Sequence, residues 1–422
     1  MRVWIIKAGE PVPFIAAERN DRLLRAGQMA LNLKRAGHEV IWWTAQFSHQ
    51  LKTHRVIETD RVLRPDPEGP ECVFLSSCGY RRHIGFSRLR DHAQLARNFH
   101  RVAATLPVPD VIVSAWPTIE LADAAVAYGK RQGCPVVLDI RDLWPDIIYA
   151  RLNASLPFKT NGILVPYERM ARRAFGGAAG VTGLSQGMVD WGRGRFGGAG
   201  SDRVFRQSMP APAITDEDRR EGRVFWRERG VDLSAPKIRA VWSGSLVPET
   251  DGETLLDALE ALPEETAQAF DFVLCGTGSL GPRIERIAAR LPHVHFPGWV
   301  DSQRLRVLLE TSHIGLLCYL DRFDYQNSIP NKVVDYSAAS MRILTNLAGE
   351  VPQMFADTDT VIPYASGNRD DLVRVLSDIA AAPERYRVDW PVSRTIFDAK
   401  FDAGTVMPAY IDYLRDVAGL TG

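Results

Sequence analysis

Short apolar runs alternate with longer amphipathic segments along almost the whole sequence. The continuous apolar runs are 2–6, 39–44, 72–76, 110–115, 135–140 and 180–184 in the first half, and 238–243, 271–276, 294–298, 314–319, 342–346 and 360–364 in the second. Such runs are typical of strands in parallel sheets that helices cover on both faces. Amphipathic patterns predict helices between them, including 21–36, 86–105, 118–132, 251–262, 281–290, 301–311 and 331–339. The alternation predicts an α/β fold of right-handed βαβ units in two doubly wound, Rossmann-like sheets.

The length of the chain predicts more than one domain. A chain of 422 residues exceeds one ordinary hydrophobic core, and two domains of about 200 residues are expected. Segment 207–223 is rich in proline, alanine and charge, so we place the crossing between domains 1–206 and 207–404 there. Ligands bind at the carboxyl ends of the strands in doubly wound sheets, and two facing sheets would hold a ligand in the cleft between them.

The composition excludes several classes of protein. The formal net charge is zero, which argues against a general nucleic-acid-binding protein. The five cysteines include no CxxC pair and indicate reduced thiols in the cytosol. No stretch approaches the ~18 apolar residues of a transmembrane helix, and the apolar run at the N-terminus is too short for a signal peptide. HExxH, GxSxG, Walker and metal-ligand patterns do not occur, so we expect a cytoplasmic protein without a metal site.

The stretch from Ser328 through Ile329, Pro330, Asn331 and Lys332 runs directly into a predicted helix. The first N–H groups of a helix have no internal partner and carry partial positive charge, which suits a phosphate, and Lys332 would add a full charge. Asp335, one turn later, could accept hydrogen bonds from a ribose diol. The same pattern also fits a plain helix start, with Asn331 or Ser328 as the N-cap and Asp335 favouring the positive end of the helix dipole.

Two glycine-containing turns follow strands of the second half. Gly244 would let the backbone approach a diphosphate, and Ser245 could donate a hydrogen bond to it. Gly276 and Gly278 follow the next strand, in the sequence CGTGSLG. Either turn alone is compatible with an ordinary loop, because GxGxxG is absent. Both turns together with segment 327–335 favour a nucleotide site.

In the first half, Asp139, Arg141 and Asp142 lie at the end of strand 135–140. Unpaired charges are costly to bury, so these side chains either face a cleft or form an internal Arg–Asp pair that holds the loop. The loop 9–22, with Gly9 and Glu10, leads to a helix that carries Arg22 and Arg25. This loop either gates an acceptor over the same cleft or is only a surface excursion.

Segment 80–102 carries six arginines and one acid, Asp91. Apolar residues interleave with the arginines, so the segment predicts a basic amphipathic helix. Such a helix either contacts anionic lipid headgroups, for which Arg88, Arg90 and Arg97 are the candidates, or is a solvated arginine face.

These motifs together resemble those of a known family. The sequence SIPNKVVDYSAASMRIL resembles the PxKxxEYxAxGxP signature of family 4 type glycosyltransferases. GEPVP, the stretch from RLLRAGQ to SHQLK and DIRDLWPD resemble members that build bacterial surface polysaccharides of the O-antigen type. The resemblance covers nearly the whole chain. It implies the GT-B fold, with two facing Rossmann-like domains, an interdomain cleft and a last helix at 405–422 that packs back on the first domain.

The resemblance also assigns roles to single positions. Asp335 occupies the place of the usual ribose-binding glutamate and is shorter. Asn327 replaces the other glutamate of the pair, and Ser340 replaces a glycine. Ser245 and Asp251 stand where many relatives have an arginine and a lysine. Phosphate charge would then fall on Lys332, the helix terminus and either Arg322 or Arg141, and these departures leave the donor and the level of activity open.

The function implied is metal-independent, retaining transfer of a hexose from a UDP- or GDP-sugar to a glycan or lipid-linked saccharide. The reaction would take place in the cytoplasm or at the inner face of the cytoplasmic membrane, without a cofactor. The donor phosphate would take the acceptor proton. The residues expected at the reaction are Asp139, Arg141, Asp142, Lys332 and Asn327, with Gly9, Glu10, Arg22 and Arg25 on the acceptor side. The alternatives are a nucleotide-sugar 2-epimerase on the same fold and an inactive protein that binds nucleotide sugars.

Overall fold

Apolar runs form the central strands of two parallel sheets in the computed structural model. The structure describes residues 1–19, 21–81, 85–155, 164–210, 213–386 and 389–420. The chain divides into two units: the first comprises Met1–Arg206 and Val406–Gly422, and the second comprises Gln207–Thr405.

The first unit contains ten strands and six complete helices in its described residues. The strands are β1 (Arg2–Ile6), β2 (Glu39–Ala45), β3 (Phe47–Ser48), β4 (Thr53–His54), β5 (Val62–Leu63), β6 (Glu71–Leu75), β7 (Val111–Trp116), β8 (Val136–Ile140), β9 (Gly180–Gly183) and β10 (Arg203–Val204). The helices are α1 (Arg25–Arg35), α2 (Phe86–Ala103), α3 (Ile119–Gln132), α4 (Asp146–Ser155), α5 (Val165–Gly177) and α6 (Gln186–Phe196).

The second unit repeats the same type of architecture. Its strands are β11 (Ile238–Ser243), β12 (Phe270–Cys275), β13 (Val294–Gly298), β14 (Ile314–Leu317), β15 (Arg342–Thr345) and β16 (Val361–Pro363). Its helices are α7 (Asp216–Arg227), α8 (Gly252–Ala261), α9 (Glu264–Gln268), α10 (Gly281–Ala288), α11 (Ser302–Glu310), α12 (Phe323–Gln326), α13 (Asn331–Ala338), α14 (Glu350–Met354), α15 (Arg369–Ala381) and α16 (Pro391–Lys400). The last helix, α17 (Ala403–Val417), belongs to the first unit from Val406 onward.

In both sheets the chain first adds strands on one side of the first strand, β1 or β11, and then continues on the other side of that strand. The first sheet has the order β10-β9-β8-β7-β1-β2-β6-β5, and all neighbours are parallel except β5 and β6. The second has the order β13-β12-β11-β14-β15-β16 and is parallel throughout. The reversals lie between β1 and β7 and between β11 and β14, and such a switch point is where doubly wound sheets bind ligands.

The core of the first unit contains a cluster of aromatic rings. The ring of Trp4 lies 4.8 Å from that of Trp43 and 5.3 Å from that of Tyr128, and Trp43 lies 5.0 Å from Phe99. Aromatic pairs of this kind contribute about 0.5–1.5 kcal/mol each beyond their buried area. The cluster fixes helices α2 and α3 against the centre of the sheet.

The last helix carries buried tyrosines that contact strands of the first unit. The Tyr410 and Thr182 hydroxyl oxygens lie 3.3 Å apart, and the Tyr413 hydroxyl donates to the Ser201 carbonyl at 2.5 Å. Tyr410 and Tyr413 are each 1% exposed. These contacts fix α17 beside β9 and the segment that leads to β10.

The structure corrects two details of the expected elements. The helix expected at 21–36 begins only at Arg25, because Leu24 has an extended backbone. No helix is expected within the crossing segment 207–223, but α7 begins within it at Asp216. Thr215 and Asp218 form a capping box, and this arrangement is typical of a helix start.

Candidate functional site

Lys332 lies at the switch point of the second unit. Its Nζ donates a hydrogen bond to the Tyr319 hydroxyl at 3.2 Å and lies 5.3 Å from the centre of the Trp242 ring. A Cβ atom built on Gly244 would lie 3.5 Å from this Nζ. Gly244 follows β11 directly, so the ammonium group lies beside the carboxyl end of the central strand.

The ammonium group of Lys332 has only neutral partners in the described part of the chain. No carboxylate of a described residue lies within 4.0 Å of it, while Asp335 and the Cys318 thiol act on it only from a distance. Burial lowers the pKa of Lys332 from 10.5 to about 8. A half-buried cation without a counter-ion is costly, and an anion bound beside it would remove that cost.

Helix α13 begins immediately before Lys332, and no side chain of the described residues caps its first N–H groups. Pro330 is the N-cap residue, with φ −61° and ψ 147°, and it makes no side-chain cap hydrogen bond. The expected alternative of a cap from Ser328 or Asn331 is therefore not present. The amino end of α13 can donate hydrogen bonds to an anion next to Lys332.

Other residues of the 327–332 stretch have packing roles. The Ile329 side chain is 3% exposed and belongs to the hydrophobic core, so it would contribute only backbone to a ligand. The Asn327 side chain donates to the Phe323 carbonyl at 2.8 Å, and the Ser328 N–H donates to the Tyr325 carbonyl at 3.3 Å. These bonds fix the turn that precedes α13.

The two glycine turns pack backbone against backbone. Gly276 and Gly278 have φ values of 147° and 156°, which other residues rarely adopt. A Cβ on Gly276 would lie 1.8 Å from the Gly244 carbonyl oxygen, and one on Gly278 would lie 2.0 Å from that of Leu246. Gly276 and Gly278 therefore hold two loops together, while Gly244 and Ser245 form the exposed surface beside Lys332.

Asp251 stands where many proteins of the resembled family have a basic residue. Its hydrogen bonds give it a structural role. Its carboxylate is 5% exposed and accepts hydrogen bonds from Thr254 (2.6 Å), Asn346 (3.1 Å), Tyr364 (3.3 Å) and the Gly367 N–H (3.3 Å). These bonds connect the start of α8 to the ends of β15 and β16.

Asn346 extends this network towards Lys332, because its Oδ1 accepts the Tyr319 N–H at 3.0 Å. Tyr319 in turn accepts the hydrogen bond from Lys332. Sequence reasoning missed Trp242, Tyr319 and Asn346, although each lies at or just after the carboxyl end of a strand.

Asp335 lies one turn after Lys332 and is partly exposed. It borders a cavity of about 420 Å³ between α7, α11, α13 and α16, together with Ala338 and Ala339 from the same helix face. Charged side chains also line this cavity: Arg219, Arg306, Arg394, Glu310 and Asp389. Arg322, the other candidate for phosphate charge, forms an ion pair with Asp324 at 2.8 Å.

Asp139 is completely buried in the first unit, at the centre of an ion cluster. Its Oδ1 accepts hydrogen bonds from Arg25 and Thr182, both at 2.8 Å, and its Oδ2 accepts from the Nε atoms of Arg25 and Arg141, both at 2.9 Å. Burial raises the pKa of Asp139, but Arg25 and Arg141 outweigh burial and hold it well below its ordinary value. The structure thus favours the internal Arg–Asp pair over the cleft-facing alternative for Asp139 and Arg141, and it adds Arg25 to the cluster.

The loop after β1 is fixed by the same cluster. Glu10 pairs with Arg141 and accepts the Ala26 N–H at 3.0 Å. Gly9 has φ 95°, and its carbonyl accepts a hydrogen bond from Gln50 at 2.9 Å. Arg22 is exposed on this loop, whereas Asn20 lies outside the described residues.

A second cavity, of about 220 Å³, lies at the carboxyl end of the first sheet. Lys7, Arg88, His92, Asp142 and Trp144 are among the residues that line it. Arg88 was expected on the exposed basic face of α2, but it faces this cavity, while Arg90 and Arg97 are exposed. Arg82, from the same basic segment, lies outside the described residues.

The described residues hold neither a candidate metal cluster nor a candidate membrane span. No group of three or more His, Cys, Asp or Glu side chains there is arranged to hold a metal ion. None of the helices in that part of the chain is both long and apolar enough to cross a membrane.

Comparison with solved structures identifies the fold. The chain is similar to sucrose-phosphate synthase from Thermosynechococcus elongatus, with a TM-score of 0.71 and 13% identity over 100% of both chains. It is similar to Anabaena HepE in complex with UDP, with a TM-score of 0.65 and 13% identity over 99% of this chain and 100% of that one. It is also similar to WaaG, a glycosyltransferase involved in lipopolysaccharide biosynthesis, with a TM-score of 0.62 and 15% identity over 98% and 99%. The fold is that of the GT-B glycosyltransferases, with two Rossmann-like domains.

Comparison with protein families gives a narrower result for the second unit. Residues 237–381, from β11 through α15, match the family model described as glycosyl transferases group 1. The second unit therefore contains a group 1 glycosyltransferase domain, and this domain holds Lys332 and the glycine turns. No curated protein sequence matches the chain.

The ion cluster of the first unit leads to a stability prediction. Asp139→Ala should lower the free energy of unfolding by about 3–5 kcal/mol, because it leaves buried guanidinium groups without their carboxylate. Because the pKa of Asp139 is lowered, its contribution is complete above the ordinary aspartate pKa of about 4 and is lost as pH falls from there through the lowered pKa. Urea unfolding measures the effect.

A matched control is Asp190→Ala, which removes an exposed carboxylate of α6 in the same unit. It should change the free energy of unfolding by less than about 0.5 kcal/mol. Equal effects of the two substitutions would show that the Asp139 cluster does not stabilise the unit.

Proposed function

We propose that this protein is a retaining glycosyltransferase that uses a nucleoside diphosphate sugar as donor. The observation that carries the proposal is the half-buried Lys332 ammonium, which lacks a carboxylate partner among the described residues and lies beside the uncapped end of α13. Both groups belong to the domain that matches the group 1 family model. An anion with two phosphates, one for each group, satisfies this arrangement.

In this mechanism, positive charge stabilises the leaving diphosphate. Charge builds up on the diphosphate as the bond to the sugar breaks, and preorganised donors at that point lower the barrier. Lys332 and the first N–H groups of α13 would supply this stabilisation without a metal ion. The transferred sugar would meet its acceptor on the face that the diphosphate leaves, and a phosphate oxygen would take the acceptor proton.

UDP- and GDP-sugars are the donors that we propose. The solved structure of HepE contains UDP, which supports a uridine nucleotide in a protein of this fold. Asp335 would accept hydrogen bonds from the ribose hydroxyls, and Asn327 would hold sugar hydroxyls. The acceptor would be a glycan or a lipid-linked saccharide in surface polysaccharide synthesis, a role supported by the likeness to WaaG.

A nucleotide-sugar 2-epimerase is the second enzyme class on this fold. That chemistry requires acids and bases around the sugar, whereas the described surroundings of the Lys332 ammonium are Tyr319, Trp242 and Gly244. Formation of a linked product, without interconversion of free nucleotide sugars, distinguishes transfer from epimerisation. Binding without either reaction would indicate an inactive nucleotide-sugar-binding protein.

Lys332→Ala tests the diphosphate site. It should weaken UDP binding by about tenfold to a hundredfold, because hydrogen bonds to a charged group contribute about 1.5–3 kcal/mol. Uridine binding should change little, since uridine has no phosphate. Isothermal titration calorimetry with UDP, GDP and their nucleosides measures both effects.

The control is Lys237→Ala, which removes a lysine that pairs with Asp271 and precedes the first strand of the same sheet. It should leave UDP affinity unchanged. An equal loss of UDP and uridine affinity in Lys332→Ala would contradict the phosphate role of Lys332.

The lowered pKa of Lys332 predicts a pH dependence of UDP affinity. A bound diphosphate favours the protonated lysine and raises its pKa above the value of about 8 in the free protein. Affinity should therefore be complete below pH 8 and fall as pH rises above it, by up to tenfold per pH unit. Titrations between pH 7 and pH 9.5 should show this decline in the native protein and a flat profile in Lys332→Ala.

We also propose that α2 associates with anionic membrane surfaces. Phe86, Arg90 and Arg97 are exposed, and their spacing of 4 and 11 residues places them on one helix face. Phe86 is 90% exposed, which gives this basic face an apolar anchor.

The double substitution Arg90→Glu and Arg97→Glu should reduce binding to phosphatidylglycerol vesicles in a sedimentation assay at least about tenfold, since each basic residue contributes about 1 kcal/mol. Binding that is absent in the native protein, or unchanged in the variant, would rule this association out.

A further inference from the structure

The first unit contains a lysine whose environment resembles that of Lys332. Lys7 follows β1 directly, at the switch point between β1 and β7. Its Nζ donates one long hydrogen bond, to the Pro117 carbonyl at 3.4 Å. In the described ranges no carboxylate lies within 4.0 Å of this nitrogen, although its side chain is half-buried. An ammonium group in this position would be stabilised by an anionic ligand.

Burial and the nearby Arg141 lower the pKa of Lys7 to about 8, while Glu10, Asp142 and Asp139 act on it in the opposite direction from a distance. Lys7 thus resembles Lys332 in its position at the carboxyl ends of the strands, in its burial and in having one neutral hydrogen-bond acceptor among the described residues.

A second cation, Arg88, is held in place at the same cavity. Its guanidinium carbon lies 4.5 Å from the centre of the Trp144 ring and 5.2 Å from that of Tyr80. Its Nε donates to His92 Nε2 at 3.3 Å. Two ring contacts and a hydrogen bond fix a side chain that would otherwise lose considerable rotamer freedom on binding a ligand.

Buried groups behind Arg88 fix the histidine in turn. His92 is 4% exposed, and its Nδ1 lies 3.3 Å from Glu120 Oε2. The other oxygen of Glu120 accepts the Tyr167 hydroxyl at 2.6 Å. Because Arg88 Nε donates to Nε2, that nitrogen is the acceptor, and the proton of the neutral ring belongs on Nδ1, on the side of Glu120. The contacts from Tyr167 through Glu120 and His92 therefore hold the Arg88 guanidinium in position before a ligand binds.

The cavity that Lys7 and Arg88 line has a volume of about 220 Å³. A liquid water occupies about 30 Å³, so the cavity has room for a phosphate or carboxylate with part of a sugar. Two acids also line it, Asp91 and Asp142. Asp91 is 2% exposed and accepts the Gly79 N–H at 2.7 Å, while Asp142 is exposed.

We propose that this cavity binds an anionic group of the acceptor, with Lys7 and Arg88 as its ligands. The inference rests on the proposed transferase function and adds the chemical class of the acceptor. Phosphates and carboxylates share the required chemistry, because both accept charge-assisted hydrogen bonds from ammonium and guanidinium groups. The anion has three possible sources: the diphosphate of a lipid-linked saccharide, a soluble sugar phosphate or an acidic sugar.

Anion binding in the Lys332→Ala background tests the proposal, because that substitution weakens the other phosphate site. Methyl diphosphate, glucose 6-phosphate and glucuronate are the probes for the three sources, and calorimetry measures their binding. At least one probe should bind. Lys7→Met or Arg88→Gln, added to this background, should weaken it about tenfold or more. The probe that binds most tightly identifies the source.

Two further variants separate a ligand role from a structural one. Lys7→Arg retains the positive charge and should restore most of the affinity, whereas Lys130→Met, an exposed lysine of α3, should leave the affinity unchanged. Circular dichroism confirms that each variant is folded. Failure of all three probes to bind, or binding that is insensitive to both Lys7→Met and Arg88→Gln, would overturn the assignment.

UDP titration of the native protein separates this result from the proposed function. Absence of UDP binding would overturn the donor assignment and leave any Lys7-dependent anion binding intact. UDP binding without Lys7-dependent anion binding would overturn only the assignment of the acceptor cavity.

Discussion

Burial of the central strands on both faces is the constraint on which the rest of the structure depends. Strands such as β7, β8, β11 and β12 consist entirely of buried residues, so their side chains serve mainly to pack the core. Polar chemistry is left to the residues that follow the strands, where helix ends and loops converge. In each unit a lysine lies at the carboxyl ends of the strands, beside the first strand of the sheet. The same constraint therefore produces both the stability of the sheets and the position of the candidate sites.

The protein contains two kinds of buried charge, and the first unit holds both. Around Asp139, each positive charge faces a carboxylate, and the cluster fixes the loop after β1. Around Lys332 and Lys7, the ammonium groups face only neutral oxygen atoms of the described residues within hydrogen-bonding distance. A satisfied cluster has little capacity for a further ligand, whereas an unsatisfied cation favours an anion. This difference separates the structural charges from those that we assign to ligands.

The sequence was sufficient to predict the sheets and much of the loop region after the strands that carries the candidate site of the second unit. β11 and β13 have the predicted boundaries, because their apolar runs are interrupted sharply by polar or glycine-rich loops. Lys332 was also predicted, from its place at a helix start. Periodicity missed α7, since the segment around Thr215 is rich in proline and charge and was interpreted only as the crossing between domains. It also could not show that Asp139 is enclosed by Arg25, which lies 114 residues away in sequence. Contacts of that kind depend on the order of strands in the sheet, which spacing along the chain does not contain.

The contact between the glycine turns has a consequence for how this domain can change. The carbonyl groups of Gly244 and Leu246 occupy the space that side chains at positions 276 and 278 would need. The two loops therefore form one tightly packed loop pair. Variation in ligand preference cannot readily arise at those positions without separating the loops. Such variation can arise at Ser245, whose side chain is exposed on the loop pair and does not lie between the two loops. Directed evolution towards other donors should accordingly target the exposed positions of the loop pair.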